Sequence, residues 1–252
     1  MFPIIQIGPL ALQAPGLILL AGLWIGLSIS EKLAVRFNAR PNQIYNIVFV
    51  ALIAGLVGAR LSYALQHVEA FLASPMSLFS LNPGLLDSLG GIAVGLIAAT
   101  IYGNRKQIPL WPTLDALTPL LAVMFMAVGL ANLASGSAFG VPTHMPWGIE
   151  LWGFARHPTQ IYQIMTGAII LGLIWPRRSD SGASQRVSGE TFWLFLVLSS
   201  ASWMIIEAFR GDSILLPGGW REAQIIAWMV LAVSLLGFWK IKSHLGSTAK
   251  NM

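Results

Sequence analysis

The chain has 252 residues, 56% of them hydrophobic and 10% charged, with a net charge of +5 and no cysteine. A soluble domain carries about 25% charged residues, so this composition, with a mean hydropathy of +0.71, excludes a water-soluble fold and describes an all-α polytopic membrane protein. The lack of cysteine also excludes disulfides, thiolate metal ligands and a protein thiol nucleophile.

One helical crossing of a bilayer needs about 20 apolar residues, and the sequence offers seven such runs, at about 9–29, 46–66, 84–102, 109–133, 160–175, 191–209 and 223–240. Short links leave no room for a separate soluble domain, and residues 1–252 read as a single membrane domain. The first run lacks a basic leader and exceeds the apolar segment of a cleaved signal, so it is expected to persist as a helix. Basic residues sort by link. Lys32, Arg36 and Arg40 follow the first run, Arg105 and Lys106 the third, Arg177, Arg178 and Arg186 the fifth, and Lys240, Lys242 and Lys250 the seventh. Positive residues stay on the cytoplasmic side, which sets the N-terminus outside and the C-terminus inside. The pI of 9.9 therefore reports topology, not affinity for nucleic acid.

Within this frame the polar residues gather at the outer ends. Arg60 lies before the outer end of the second run, roughly 9 Å deep at 1.5 Å per residue. An arginine inside a span costs on the order of 2.5–3.5 kcal/mol on insertion scales, so it either faces a partner or wet cavity or snorkels to the surface. His67, Glu69 and the weakly amphipathic stretch through Phe79 suit an interfacial helix on the outer face. Asp87, early in the third run, and Asn132, late in the fourth, reach the same level. Asp115 sits instead at the inner start of the fourth run, where an acid suits the helix dipole and a structural role.

Residues 134–160 form the most polar outside loop, with Gly136, Gly140, His144, Pro146, Trp147, Gly148 and Glu150. It ends in Arg156-His157-Pro158-Thr159-Gln160-Ile161-Tyr162, which sets a guanidinium, an imidazole, an amide and a phenol at the mouth of an apolar run. Such a gathering of donors at a membrane surface suits a lipid head group. His157 reads either as a general base or as a hydrogen-bonder at a helix start. Near the outer end of the sixth run, Glu207 and Arg210 are spaced to share one helical face, either as a clasp or as a phosphate fork with its orienting carboxylate. Tryptophans near the ends of crossings, Trp111, Trp147, Trp152, Trp175 and Trp220, read as an aromatic belt. The four histidines and ten acids form no HExxH and no close cluster, so no metal site is expected. Nucleotide-binding and serine-hydrolase motifs are absent, and no cofactor is expected.

The RHPTQIY string resembles the RHPSQLYE signature of the prolipoprotein diacylglyceryl transferase family. Further counterparts follow in the family's order: IGPLAL at residues 7–12, GARLSY ending at Tyr63, Gly90-Gly91, LDALTPL around Asp115, Asn132 with Gly136 and Gly140, Pro146-Trp147, and IIEAFR through Arg210. The resemblance implies a seven-helix protein of the bacterial inner membrane. It would move diacylglyceryl from phosphatidylglycerol to the lipobox cysteine of a prolipoprotein and release glycerol phosphate. Set against the family, His157, Arg156 and Arg210 are the catalytic candidates, while Arg60, Asn132, Gly136, Gly140, Gln160, Tyr162 and Glu207 are the candidates for binding phosphatidylglycerol or another anionic phospholipid. The chain also departs from the pattern. Leu89 stands where the family has histidine, Gly129 and Trp203 where it has arginine, Ser137 where it has glutamate and Pro15 where it has tyrosine. Two alternatives follow: a homologue that binds phospholipid or lipoprotein without turnover, and a small-molecule transporter. A transporter would bring midplane charges and inverted repeats, and neither is visible.

Overall fold

The computed structural model describes residues 4–7, 10–79, 83–176 and 187–250. Arg177, Arg178 and Arg186, used above for sidedness, lie outside the described residues. Eight α-helices are seen among the described residues: α1 (Ala14–Ala34), α2 (Pro41–Gln66), α3 (Val68–Ala73), α4 (Ser88–Arg105), α5 (Leu110–Ser135), α6 (Thr159–Ile174), α7 (Glu190–Ala208) and α8 (Glu222–Lys250). Two antiparallel hairpins accompany them, β1 (Ile4–Ile7) with β2 (Leu10–Gln13) and β3 (Ile149–Leu151) with β4 (Phe154–Arg156). Helices α1, α2, α5, α7 and α8 are long and apolar enough to cross a membrane. The remaining two long elements are shorter, α6 with 16 residues and α4 with 18. The protein is thus an all-α polytopic membrane protein, and every apolar run of the sequence contains a helix.

Several boundaries move for local reasons. The first helix begins at Ala14 rather than near residue 9, because the preceding residues pair as β1–β2. Pro15 falls in its first turn, where a missing N–H is no loss. Asp87 stands before α4 as its cap, not inside the crossing: its Oδ2 accepts from the Gly90 N–H at 2.9 Å and from the Ser62 hydroxyl at 2.6 Å. The stretch from His67 to Phe79 is broken into α3 and a 3-10 turn at Pro75–Phe79, since proline disfavours helix in the residue before it.

Small residues set the helix contacts. A Cβ on Gly22 would lie 2.4 Å from Ala127 Cβ, and one on Gly26 2.8 Å from Leu120, so α1 and α5 touch along antiparallel backbones. Pro119 interrupts the α5 ladder, and the N–H of its neighbour Leu120 goes to Ser30 Oγ of α1 at 2.9 Å. Gly91 and Gly95 bring α4 against Gly55 and Ala51 of α2 in the same way. Helix α6 lies along α5 and α8 along α7, both antiparallel. The alternation collects the N-terminal ends of α1, α4, α6 and α8 with the C-terminal ends of α2, α5 and α7 at one end of the bundle, called here the site end.

Asp115 has a different task from the one its position in α5 suggests. Its carboxylate is buried and accepts from the Gly189 N–H at 2.5 Å and the Phe192 N–H at 2.8 Å. It therefore caps α7, whose first-turn N–H groups have no partner in their own helix.

Candidate functional site

At the site end, the link after α5 and the link after α7 are welded by backbone bonds. The Val141 N–H donates to the Phe209 carbonyl and the Gly211 N–H to the Phe139 carbonyl, each at 2.8 Å. Gly140 lies at the centre of this weld. It bridges to Arg210, accepts from Arg156 Nη1 at 3.2 Å and faces His157 so closely that a Cβ would fall 2.2 Å from the His157 oxygen. Only glycine fits there. Arg156, His157, Gly140 and Arg210, drawn from separate segments, thus meet in one place.

Among the described residues no carboxylate pairs with Arg156. Its Nε donates to the Leu151 carbonyl at 3.1 Å, and its guanidinium carbon lies 4.8 Å from the Phe139 ring centre and 5.5 Å from that of Phe154. Beside it, Trp147 Nε1 donates to the Tyr162 hydroxyl at 2.9 Å, and that hydroxyl lies 3.1 Å from His157 Nδ1. An indole N–H can only donate, so the tyrosine oxygen accepts from Trp147 and its own hydrogen is free to point at Nδ1. The three side chains form a chain that ends on the imidazole, with Phe209 packed against the ring at 5.1 Å.

Gln160 is 0% exposed, and its Nε2 donates to the Ser137 carbonyl at 2.8 Å while its Oε1 has no partner among the described residues. Gly136, at φ +77°, ends α5 in a left-handed turn that glycine adopts without strain. Its backbone N–H and that of Ser137 both go to the Asn132 carbonyl. No bond from the Asn132 side-chain amide occurs among the described residues.

Glu207 is buried, 1% exposed, and pairs with Arg210 at 3.2 Å. Arg210 also meets Asp212 at 2.9 Å, so two carboxylates offset its charge. Sequence reasoning passed over Arg221. Its Nη1 donates to the Glu207 carbonyl at 2.9 Å, the Arg210 carbonyl at 2.5 Å and Ser213 Oγ at 2.7 Å. One signal pointed to it: a cation directly before the N-terminus of α8 opposes that helix dipole, and here the charge serves the carbonyl end of α7 instead. Arg60 belongs to the α2–α4 side, where its Nη1 donates to the Leu85 carbonyl at 3.0 Å. Among the described residues no contact joins Arg60 to Arg156 or Arg210. Nor is there a cluster of three or more potential metal ligands among them.

Residues 3–240 match the family model for prolipoprotein diacylglyceryl transferase. The chain belongs to this family. Proteins named phosphatidylglycerol–prolipoprotein diacylglyceryl transferase are similar to it over most of their length. The one from Synechococcus elongatus is 30% identical over 249 residues, covering 93% of this chain and 85% of the relative. The one from Nostoc is 28% identical, covering 93% and 87%, and the one from Clostridioides difficile 29% identical, covering 84% of each.

Of the positions expected to depart from the family pattern, Gly129 and Trp203 are packed against neighbouring helices and Leu89 is exposed. Leu89 is 79% exposed in the first turn of α4. A Cβ on Gly129 would lie 3.0 Å from the Gln160 carbonyl oxygen and 3.1 Å from Ile164 Cγ1, so α6 occupies the space an arginine there would need. The Trp203 ring packs edge-on against Phe125 at 5.9 Å. Ser137 takes part in a local hydroxyl pair with Ser135 at 3.0 Å.

Proposed function

We propose that this chain acts on phosphatidylglycerol at the outer face of the bacterial cytoplasmic membrane and passes its diacylglyceryl group to the lipobox cysteine of a prolipoprotein. The observation that carries the reading is an imbalance of charge at the site end. Arg156 and Arg221 have only carbonyl or hydroxyl acceptors among the described residues, whereas the ion pairs there go to Arg210. A lipid phosphate is a ligand that completes such guanidinium groups, which present several parallel donors.

In the transfer, the thiolate sulfur bonds to the terminal glyceryl carbon, the bond from that carbon to the phosphate oxygen breaks, and glycerol phosphate leaves with the electron pair. The Tyr162 hydroxyl takes the thiol proton as it gives its own to His157 Nδ1, and the Trp147 N–H steadies the phenol oxygen between the two states. Arg156 holds the phosphate as charge develops on it, and Arg210, kept in place by Glu207, lies across Gly140 from it. The amide of Asn132, which is only partly buried, suits a hydroxyl of the glycerol head group.

Purified protein given phosphatidylglycerol vesicles and a lipobox peptide is expected to add a diacylglyceryl mass to the peptide cysteine, and Arg156→Gln to abolish the addition. A second reading, phospholipid or lipoprotein binding without turnover, is favoured by the filled spaces at Gly129 and Trp203. Tight lipid retention with no modified peptide would establish it in place of transfer.

A further inference from the structure

Two hairpin tips at the site end turn large apolar side chains outward. The first joins β3 to β4 through Trp152 and Gly153, at φ +55° and +78°, between the paired Leu151 and Phe154. A tight turn of this kind takes Asn, Asp or Gly at its first position, because a bulky residue at positive φ is strained. Trp152 holds that position while 66% exposed, and its indole N–H donates to the Gly136 carbonyl at 3.2 Å. Trp147 and Phe154 beside it are exposed as well. The second tip is closed by the Leu215–Arg221 bridge and by the Leu216 N–H on the Trp220 carbonyl at 2.8 Å. It exposes Ile214, Leu215 and Trp220, the last at 67%.

These tips share one platform, because the backbone bonds across Phe139, Val141, Phe209 and Gly211 fasten the two links together. Exposed tryptophan, phenylalanine and leucine gathered on fastened loops mark a binding surface rather than a wetted one. What covers them follows from continuity. The exposed apolar side chains of Leu130 on α5, Ile205 on α7 and Ile226 on α8 lie near the same helix ends, so the lipid-facing belt of the bundle leads directly to the hairpins.

We propose that both tips dip into the bilayer leaflet at the site end. The platform then lies against the membrane surface, with both turns set among the head groups instead of standing in bulk water. Unlike the aromatic belt expected at the ends of crossings, this contact is made by residues of the links. The strain of Trp152 at positive φ is offset by placing its indole where indole is favoured, at the boundary between polar and apolar layers. The proposal does not require turnover at the site.

The absence of native cysteine permits a direct test. Single cysteines at Trp152→Cys and Leu215→Cys carry a nitroxide in protein reconstituted into vesicles of phosphatidylglycerol and phosphatidylethanolamine. Collision rates with oxygen and with a water-soluble nickel chelate give depth, with Ile205→Cys as the lipid-facing reference and Lys106→Cys as the aqueous one. Both tip labels are expected to favour oxygen, as at Ile205. Nickel accessibility equal to that at Lys106 would overturn the proposal. Shielding that develops only after a peptide with a signal-type apolar segment is added would also overturn it, making the tips a peptide-docking surface. Leu215→Cys leaves the strained turn untouched, so the depth remains readable if the Trp152 variant fails to fold.

Discussion

Arg221 Nη1 donates to the carbonyl oxygen of Glu207 at 2.9 Å, so a cation that precedes α8 closes the last turn of α7. The same nitrogen reaches the Arg210 carbonyl and Ser213, and the Glu207–Arg210 pair therefore rests on a turn fixed from outside its own helix. Removing the guanidinium leaves helix-end carbonyls without a donor. Arg221→Ala is expected to cost about 2 kcal/mol, the scale of hydrogen bonds from a charged group, read as a lowered unfolding temperature in detergent. Arg221→Lys should recover only part of the loss, since an ammonium lacks the planar fork.

Gly129 decides whether the arginine expected at its position from the family resemblance can be accommodated. Its Cα faces the Gln160 carbonyl and Ile164 across the α5–α6 contact, so a side chain as long as arginine has to push α6 aside. Gly129→Arg is expected to destabilise the protein by about 3 kcal/mol, the upper range for overfilled cores, with no gain in transfer to a lipobox peptide. Native stability together with a raised transfer rate would show that the α5–α6 contact yields.

The helices were legible because each apolar run stands out against its polar links, although α4 and α6 are shorter than the five helices long and apolar enough to cross a membrane. What the sequence hid lies in the links. The apolar residues of β1–β2 have the hydropathy of the helix that follows, so the start of α1 was set too early. The β3–β4 strands are too short for alternation to register. Asp87 looked like an acid within a crossing because a cap and a first-turn residue differ by one position. RHPTQIY drew attention to Arg156, His157, Gln160 and Tyr162, yet its partners were invisible: Trp147 read as a belt anchor and also donates to Tyr162, and among the described residues Arg210 meets Arg156 through Gly140. Arg60 was grouped with them on its depth and on the GARLSY resemblance, and its contact is with Leu85.

Asp115 joins α5 to the start of α7 at the end of the bundle away from the site. Replacing it by alanine strands the N–H groups of Gly189 and Phe192. Asp115→Ala is expected to lower stability by about 2 kcal/mol, the scale of a strong helix cap, as measured by thermal unfolding. Because the residue is remote from the site, phosphatidylglycerol retention at low temperature should stay at the native level.

Tyr162 separates proton transfer from binding. Tyr162→Phe removes the hydroxyl that links Trp147 to His157 while keeping the ring against Phe209. The transfer rate is expected to fall by about 100-fold, within the range for a lost proton-transfer group, with a changed pH profile and unchanged lipid retention. Parallel loss of rate and retention would mean that the hydroxyl only holds the fold.

The central claim is that unneutralised arginines at the site end select an anionic phospholipid, and native mass spectrometry of purified protein against equal phosphatidylglycerol and phosphatidylethanolamine measures it most directly. The native chain should retain phosphatidylglycerol in preference, and Arg156→Gln should lower that preference by about 10-fold, corresponding to about 1.4 kcal/mol. Equal retention of the two lipids by the native chain, or an Arg156→Gln variant as selective as the native one, would contradict it.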